Sequence, residues 1–233
     1  MSADLGYGAD VITDGQYTEY MRVRELLSLQ RTPDEVVHRD ELLFQTVHQA
    51  TELLLKLACH EVREAADSAE AGEHDRAVRL LGRAGLGIQQ VTGLLELLAQ
   101  ISPGEFQRIR VALGNGSGAE SPGWRAVRKA SERLNDAFVP LCPDQGSLVE
   151  LYAGSPDAPL YRLAEAMLEW DQRIALWRAR HYEVAARLLG EGQGIVGTAG
   201  TSVDVIRQRI HKRFFPRLWQ ARAALTASAS SSP

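Results

Sequence analysis

Three side chains sit among residues that do not explain them: His48 in the apolar stretch DELLFQTVHQATELLLKLACHE, His181 in LWRARHYEVA, and Arg110 in FQRIRVAL. An imidazole can accept or donate a hydrogen bond, move a proton or ligate a metal. A guanidinium among apolar neighbours can clamp a carboxylate through a bidentate pair. Each has a plainer reading. A histidine alone on an apolar helix is more often a core residue bonded to a neighbour, and this applies to His48 and His181 alike. Arg110, with Phe106 one turn earlier and Ile109 and Val111 beside it, reads equally as half of a rim ion pair. The six histidines and two cysteines form no HExxH, CxxC or other tight ligand spacing. The run GEGQGIVGTAGTS fails the GxxxxGK[ST] pattern and follows no strand, which sets nucleotide binding aside.

Helices must carry these groups, because hydrophobic residues recur with a period near 3.6 almost throughout and strand alternation is nearly absent. The fold class expected is all-α. A first helix is predicted from near Asp14 through YTEYMRVRELLSLQ. A second begins with Thr32 as N-cap, Pro33 at N1 and Glu35 at N3, and runs to about Ala66. Others span His74 to Gln100, Ser102 to Leu113 and Pro122 to Phe138, then a connector with one short helical piece, then Leu160 to about Leu189. A final pair of helical turns covers VDVIRQRIHKRFFPRLWQARAAL. No repeat or polar linker divides the 233 residues, which read as one domain, with 1–13 and the Ser/Ala tail 225–233 expected to be poorly ordered.

With 45% hydrophobic and 24% charged residues, the composition is that of a globular protein. A net charge of −4 supplies no basic field for nucleic acid. The N-terminus has no basic segment followed by an apolar run, and no stretch of about 18 apolar residues occurs, so neither secretion nor membrane insertion is expected. With Cys59 and Cys142 outside any paired motif, the expected location is the cytoplasm.

Taken in order, these segments resemble the tryptophan 2,3-dioxygenase family, haem enzymes of an all-α fold. YTEYMRVRELLSLQ opens the likeness; DELLFQTVHQATELLLKLACHE is similar to DEMLFIxxHQxxELWxKL, FQRIRVALG to YxxFRxxLG, and LWRARH to LWRxRH. GTAGTS and FFPRLWQAR resemble GTGGSxG and FFPELWxxR. The resemblance implies haem b with His181 as the proximal iron ligand and Trp177 beside the cofactor. It places His48 on the distal side, four residues after Phe44, accepting an indole N–H while Phe44 and Phe106 wall the substrate. Arg110 would clamp the amino acid carboxylate, and Thr198 would meet the ammonium group. Tyr17 and Tyr20 match tyrosines on a helix that crosses into a neighbouring subunit's site, implying a homo-oligomer, dimer or tetramer.

The implied activity inserts both atoms of dioxygen across the C2–C3 bond of L-tryptophan or a close indole amino acid, giving N-formylkynurenine. The chain departs from the family in Phe106, where tyrosine is usual, in Ala119, where phenylalanine is, and in a shortening between about Phe138 and Tyr161. Those departures are compatible with a haem-dependent mono-oxygenase or hydroxylase of an aromatic amino acid in specialised metabolism, using peroxide. A haem-free helical adaptor is the alternative from another class.

Overall fold

Caps legible in the sequence set most of the helix ends, and one buried face on each long helix sets how they pack. The computed structural model describes residues 15–114, 118–190, 195, 197 and 203–230. They form α1 (Gln16–Tyr20), α2 (Val23–Leu27), α3 (Glu41–Glu70), α4 (His74–Leu98), α5 (Pro103–Leu113), α6 (Pro122–Phe138), α7 (Gln145–Ala153), α8 (Pro159–Leu189), α9 (Val203–Gln208) and α10 (Pro216–Ser230). Single 3₁₀ turns lie at Gly118–Glu120 and Val139–Leu141, and the described residues contain no strand. The fold is all-α.

α3 packs along α4 and α6, α4 packs along α8, and α10 closes against α7. The buried face of α3 carries Leu55, Ala58, Val62, Ala65 and Ala69, and that of α4 carries Ala77, Leu81, Ala84, Ile88 and Val91. The spacing of three and four residues builds one stripe per helix, and its many alanines let the axes approach closely. Between α3 and α4 the chain reverses at Gly72, whose φ of 75° suits glycine. The amides of Gly72 and Glu73 donate to the carbonyls of Ala69 and Ser68, satisfying the end of α3. Ser102 and Glu105 bond each other's backbone at the start of α5, and Asp144 with Ser147 does the same for α7.

Buried apolar residues fall into two groups. The larger holds Leu55 to Ala69 of α3, most of α4, α6 and the first half of α8, with Phe215, Leu218 and Ala221 near the C-terminus. The smaller joins Val47 of α3, Leu95 and Leu98 of α4, Phe106 and Ile109 of α5, and Val184 and Leu188 of α8. Trp177 packs against both. Asp171 of α8, fully buried, accepts from the Phe214 amide at 3.1 Å and Trp219 Nε1 at 2.9 Å, tying the C-terminal segment to α8.

Two expectations need correction. The first helix is broken into α1 and α2 at Arg22, whose φ of 51° lies in the left-handed region. Neither piece buries a residue, so its apolar pattern has no surface of this subunit to hold it straight. The second helix starts at Glu41, not at Pro33. Thr32 and Glu35 do form their cap bonds, but around a single turn. The buried Glu41 carboxylate accepts from the amides of Val37 and His38, fixing the helix start downstream. At the other end α10 continues to Ser230, into the tail read as poorly ordered; residues 1–14 and 231–233 lie outside the described residues. Among the described residues no helix is long and apolar enough to cross a membrane.

Candidate active site

α3 and α8 bring His48 and His181 to one cavity, where the two buried groups meet. It measures about 460 Å³, a size within the roughly 300–1,000 Å³ common for cofactor and ligand sites. Phe44 and His48 of α3, Phe106 of α5, Trp124 of α6, and Trp177 and His181 of α8 line it. Of the residues singled out from sequence, five therefore converge: Phe44, His48, Phe106, Trp177 and His181.

His48 Nδ1 lies 2.7 Å from the Phe44 carbonyl. A carbonyl can only accept, so Nδ1 carries the proton and donates it, and Nε2 is left with its lone pair. The His48 ring also lies 4.1 Å from the Phe44 ring. Enclosure lowers the pKa of His48, with the Phe44 hydrogen bond and the nearby Glu52 opposing, so the ring is neutral near pH 7. It is an oriented hydrogen-bond acceptor.

His181 is driven further. Burial first, then the proximity of His48, pushes its pKa down to about 4. The second cause also places the two imidazoles within electrostatic reach of each other. Trp177, one turn earlier on α8, stacks on His181 with ring centres 4.9 Å apart and planes 7° apart. Trp124 lies against Trp177, with ring centres 3.8 Å apart and planes tilted by 33°. Trp177 Nε1 is buried without a partner among the described residues.

Glu52, one turn after His48, braces this wall. Its carboxylate accepts from Ser121 Oγ and from the Gly123 amide at 2.9 Å. Ser121 Oγ in turn accepts from the Trp124 amide at 3.1 Å. The helix bearing His48 is thereby fastened to the first turn of α6, beside Trp124. Only glycine fits at 123, since a Cβ there would stand 2.6 Å from Glu52 Oε2 and 2.8 Å from Leu55 Cδ1.

Arg110 is placed differently from the other five. Its Nη2 donates to the Gly197 carbonyl at 2.8 Å, and Gly197, not Arg110, lines the cavity. The contact joins α5 to the glycine run, next to Thr198, which lies outside the described residues. Tyr17 and Tyr20 are 72% and 83% exposed and do not line this cavity.

Sequence reasoning passed over Trp124 and the cations Arg125, Arg128, Arg178, Arg209 and Lys212, all of which line the cavity. Ser121 and Pro122 signal that Trp124 enters a helix, but nothing local signals its stacking on Trp177. The described residues contain no group of three or more metal-ligating side chains. An iron held here would bring its other ligands with it. A neutral imidazole on a rigid helix, flat aromatic walls and a positive margin fit a porphyrin.

Residues 4–140 match the family model for tryptophan 2,3-dioxygenase, more than half of the 233-residue chain. The chain belongs to the tryptophan 2,3-dioxygenase family. It is 26% identical to the tryptophan 2,3-dioxygenase of Bacillus thuringiensis (strain Al Hakam), the alignment covering 95% of this chain and 97% of that protein. The tryptophan 2,3-dioxygenase of Myxococcus xanthus (strain DK1622) is 27% identical, with 90% and 89% covered. That of Saccharopolyspora erythraea is also 27% identical, with 93% and 95% covered. The first alignment runs to 274 positions against 233 residues here, so its relative in the tryptophan 2,3-dioxygenase family carries segments this chain lacks.

Proposed function

We propose that the protein is a haem-dependent dioxygenase that cleaves the indole C2–C3 bond of L-tryptophan, adding both atoms of dioxygen to give N-formylkynurenine. One observation carries the reading: in a member of the tryptophan 2,3-dioxygenase family, two neutral histidines converge on one aromatic cavity from α3 and α8. His181 would hold a b-type haem through its imidazole, with Trp177 stacked beside it. When bound, the haem supplies the activation of dioxygen that no side chain of the cavity can provide.

The chain's own residues place the substrate. Phe44 and Phe106, with ring centres 6.3 Å apart, offer the indole an apolar wall. His48 Nε2, the free acceptor, takes the indole N–H and fixes which edge of the ring is presented. Arg110 meets the carboxylate with its planar fork and Thr198 the ammonium. A neutral acceptor matters, because a protonated His48 would offer a second N–H to the indole N–H and repel it. Tyr17 and Tyr20 reach a neighbouring subunit's cavity, in keeping with their exposure here, so the active form is a homo-oligomer. We place it in the cytoplasm, where the two buried, unpaired cysteines remain reduced.

The test is mass spectrometry of the product formed by haem-loaded, reduced protein from L-tryptophan under labelled dioxygen. Two labelled atoms in one molecule of N-formylkynurenine are expected. One labelled atom, or turnover with peroxide alone, would overturn dioxygenation in favour of mono-oxygenation.

A further inference from the structure

The cavity of this acidic chain is positively charged. Five arginines and lysines line it and, among the described residues, no aspartate or glutamate does, although the chain's net charge is −4. Three of the five form a connected group. Arg178 of α8 donates through Nη1 to the carbonyl of Lys212, and its guanidinium lies 5.2 Å from the centre of the Phe214 ring. Arg209 is close enough to repel Arg178 electrostatically, as is Arg213, whose Nη1 is buried without a partner among the described residues. None of Arg178, Arg209 and Lys212 has an ion pair among the described residues. The carboxylate that acts on Arg178, Asp171, already accepts from the Phe214 amide and Trp219 Nε1. Burial pulls the pKa of Arg178 below the usual guanidinium range, with Asp171 opposing and Arg209 and Arg213 adding to the fall.

Arg178 is half-buried while Arg209 and Lys212 are exposed at the rim of the cavity, so three like charges converge on its edge and an anion seated among them would relieve their repulsion. Arg178 also stands three residues before His181 on the same helix, close to one side of the flat Trp177–His181 stack. The ligand that satisfies both features has a flat apolar body and more than one carboxylate along one edge.

We infer that Arg178, Arg209 and Lys212 form the seat for the two carboxylates of the haem. The inference rests on the haem-dependent reading above. It gives these three cations a task distinct from that of Arg110, which lies outside the cavity lining and is bonded to the Gly197 carbonyl. Arg178 anchors the group through its bond to the Lys212 carbonyl, which holds α8 and the segment after α9 in register.

The experiment uses the full-length protein loaded with haem or with haem dimethyl ester, which keeps the porphyrin and iron but has no free carboxylate. The readout is the rate of transfer to excess apomyoglobin, followed in the Soret region. A charged hydrogen bond is worth roughly 1.5–3 kcal/mol, so the ester should leave at least about tenfold faster than haem. The triple variant Arg178→Gln, Arg209→Gln, Lys212→Gln should release haem faster by a similar factor while releasing the ester at the parent's rate. Equal rates for haem and ester in the parent would overturn the inference and leave the haem enzyme standing. So would a triple variant that keeps haem as the parent does. A parent that takes up neither porphyrin would overturn the haem-dependent reading, and this inference with it. The ester arm needs no variant, so a misfolded variant leaves the question decidable.

Discussion

Replacing Gly123 with alanine adds one methyl group to the first turn of α6, and the structure sets what it meets. The new Cβ would lie 2.6 Å from Glu52 Oε2, 2.8 Å from Leu55 Cδ1 and 3.0 Å from Leu55 Cβ. Glu52 can swing aside, but only by giving up the bonds from Ser121 Oγ and the Gly123 amide, worth roughly 1.5–3 kcal/mol for a charged acceptor. Leu55 is fully buried, and forcing an extra carbon against it costs about 1–3 kcal/mol. Against these stands the better helix propensity of alanine, about 1 kcal/mol. The steric and polar losses win, leaving a net destabilisation of about 2–5 kcal/mol. For a chain of this length that is a fall in Tm of roughly 10 °C. Circular dichroism melts of the haem-loaded parent and variant measure it. Glu52→Gln, which keeps the bulk and one acceptor, should fall by a smaller amount. A Gly123→Ala protein that melts with the parent, or above it, would show that propensity outweighs the clash and that Glu52 does not brace α6.

Two further perturbations address the chemistry. Arg110→Ala should weaken L-tryptophan binding by roughly a hundredfold, since it removes the fork that meets the carboxylate, and Arg110→Lys should not restore it; unchanged affinity in the alanine variant, by equilibrium titration, would make Arg110 only a tie to Gly197. His181 predicts a pH dependence of folding. Its pKa falls from an ordinary 6.5 when unfolded to about 4 when folded, so the unfolded chain binds its proton first as the solution is acidified. The stability associated with the neutral ring is therefore complete above about pH 6.5 and is lost as pH falls toward 4, a difference on the order of 3 kcal/mol. Urea unfolding of haem-free protein at pH 7 and 4.5 should lose less stability on acidification in His181→Gln than in the parent; the same loss in both would refute it.

The long helices were legible because their signals are local. Ser102 and Pro103 cap α5, Pro122 opens α6, and a buried stripe of period 3.6 defines α4 and α8. The start of α3 was misread because Thr32 and Glu35 make their cap bonds whether or not a helix follows, and the choice falls to Glu41, whose burial depends on the tertiary fold. The break at Arg22 was unreadable for a related reason: an apolar pattern declares that a face will be covered, not which surface covers it. In the site, Phe44 and His48 share a face by spacing alone. The Glu52 brace and the Trp124–Trp177 contact join segments far apart in sequence, and no period or motif encodes them. The cationic margin was hidden by summation, since a net charge of −4 averages away a local excess of the opposite sign.

α3 belongs to both buried groups, and this divides its mechanical duties. Its C-terminal part, Leu55 to Ala69, is rooted in the larger group, while its N-terminal part touches only the smaller one, through Val47, Leu43 and Phe44. At 1.5 Å per residue the helix is about 45 Å long, so His48 rides on the less anchored arm of a beam clamped at its far end. Glu52 sits at the fulcrum, where the arm leaves the clamp. Amides around Phe44 and His48 can open to exchange without the protein unfolding, whereas those beyond Leu55 exchange only when the whole fold opens. His181, between Trp177, which packs against both groups, and Val184 of the smaller one, lies at the same less anchored end, so the walls of the cavity that carry His48 and His181 can yield together to an entering ligand.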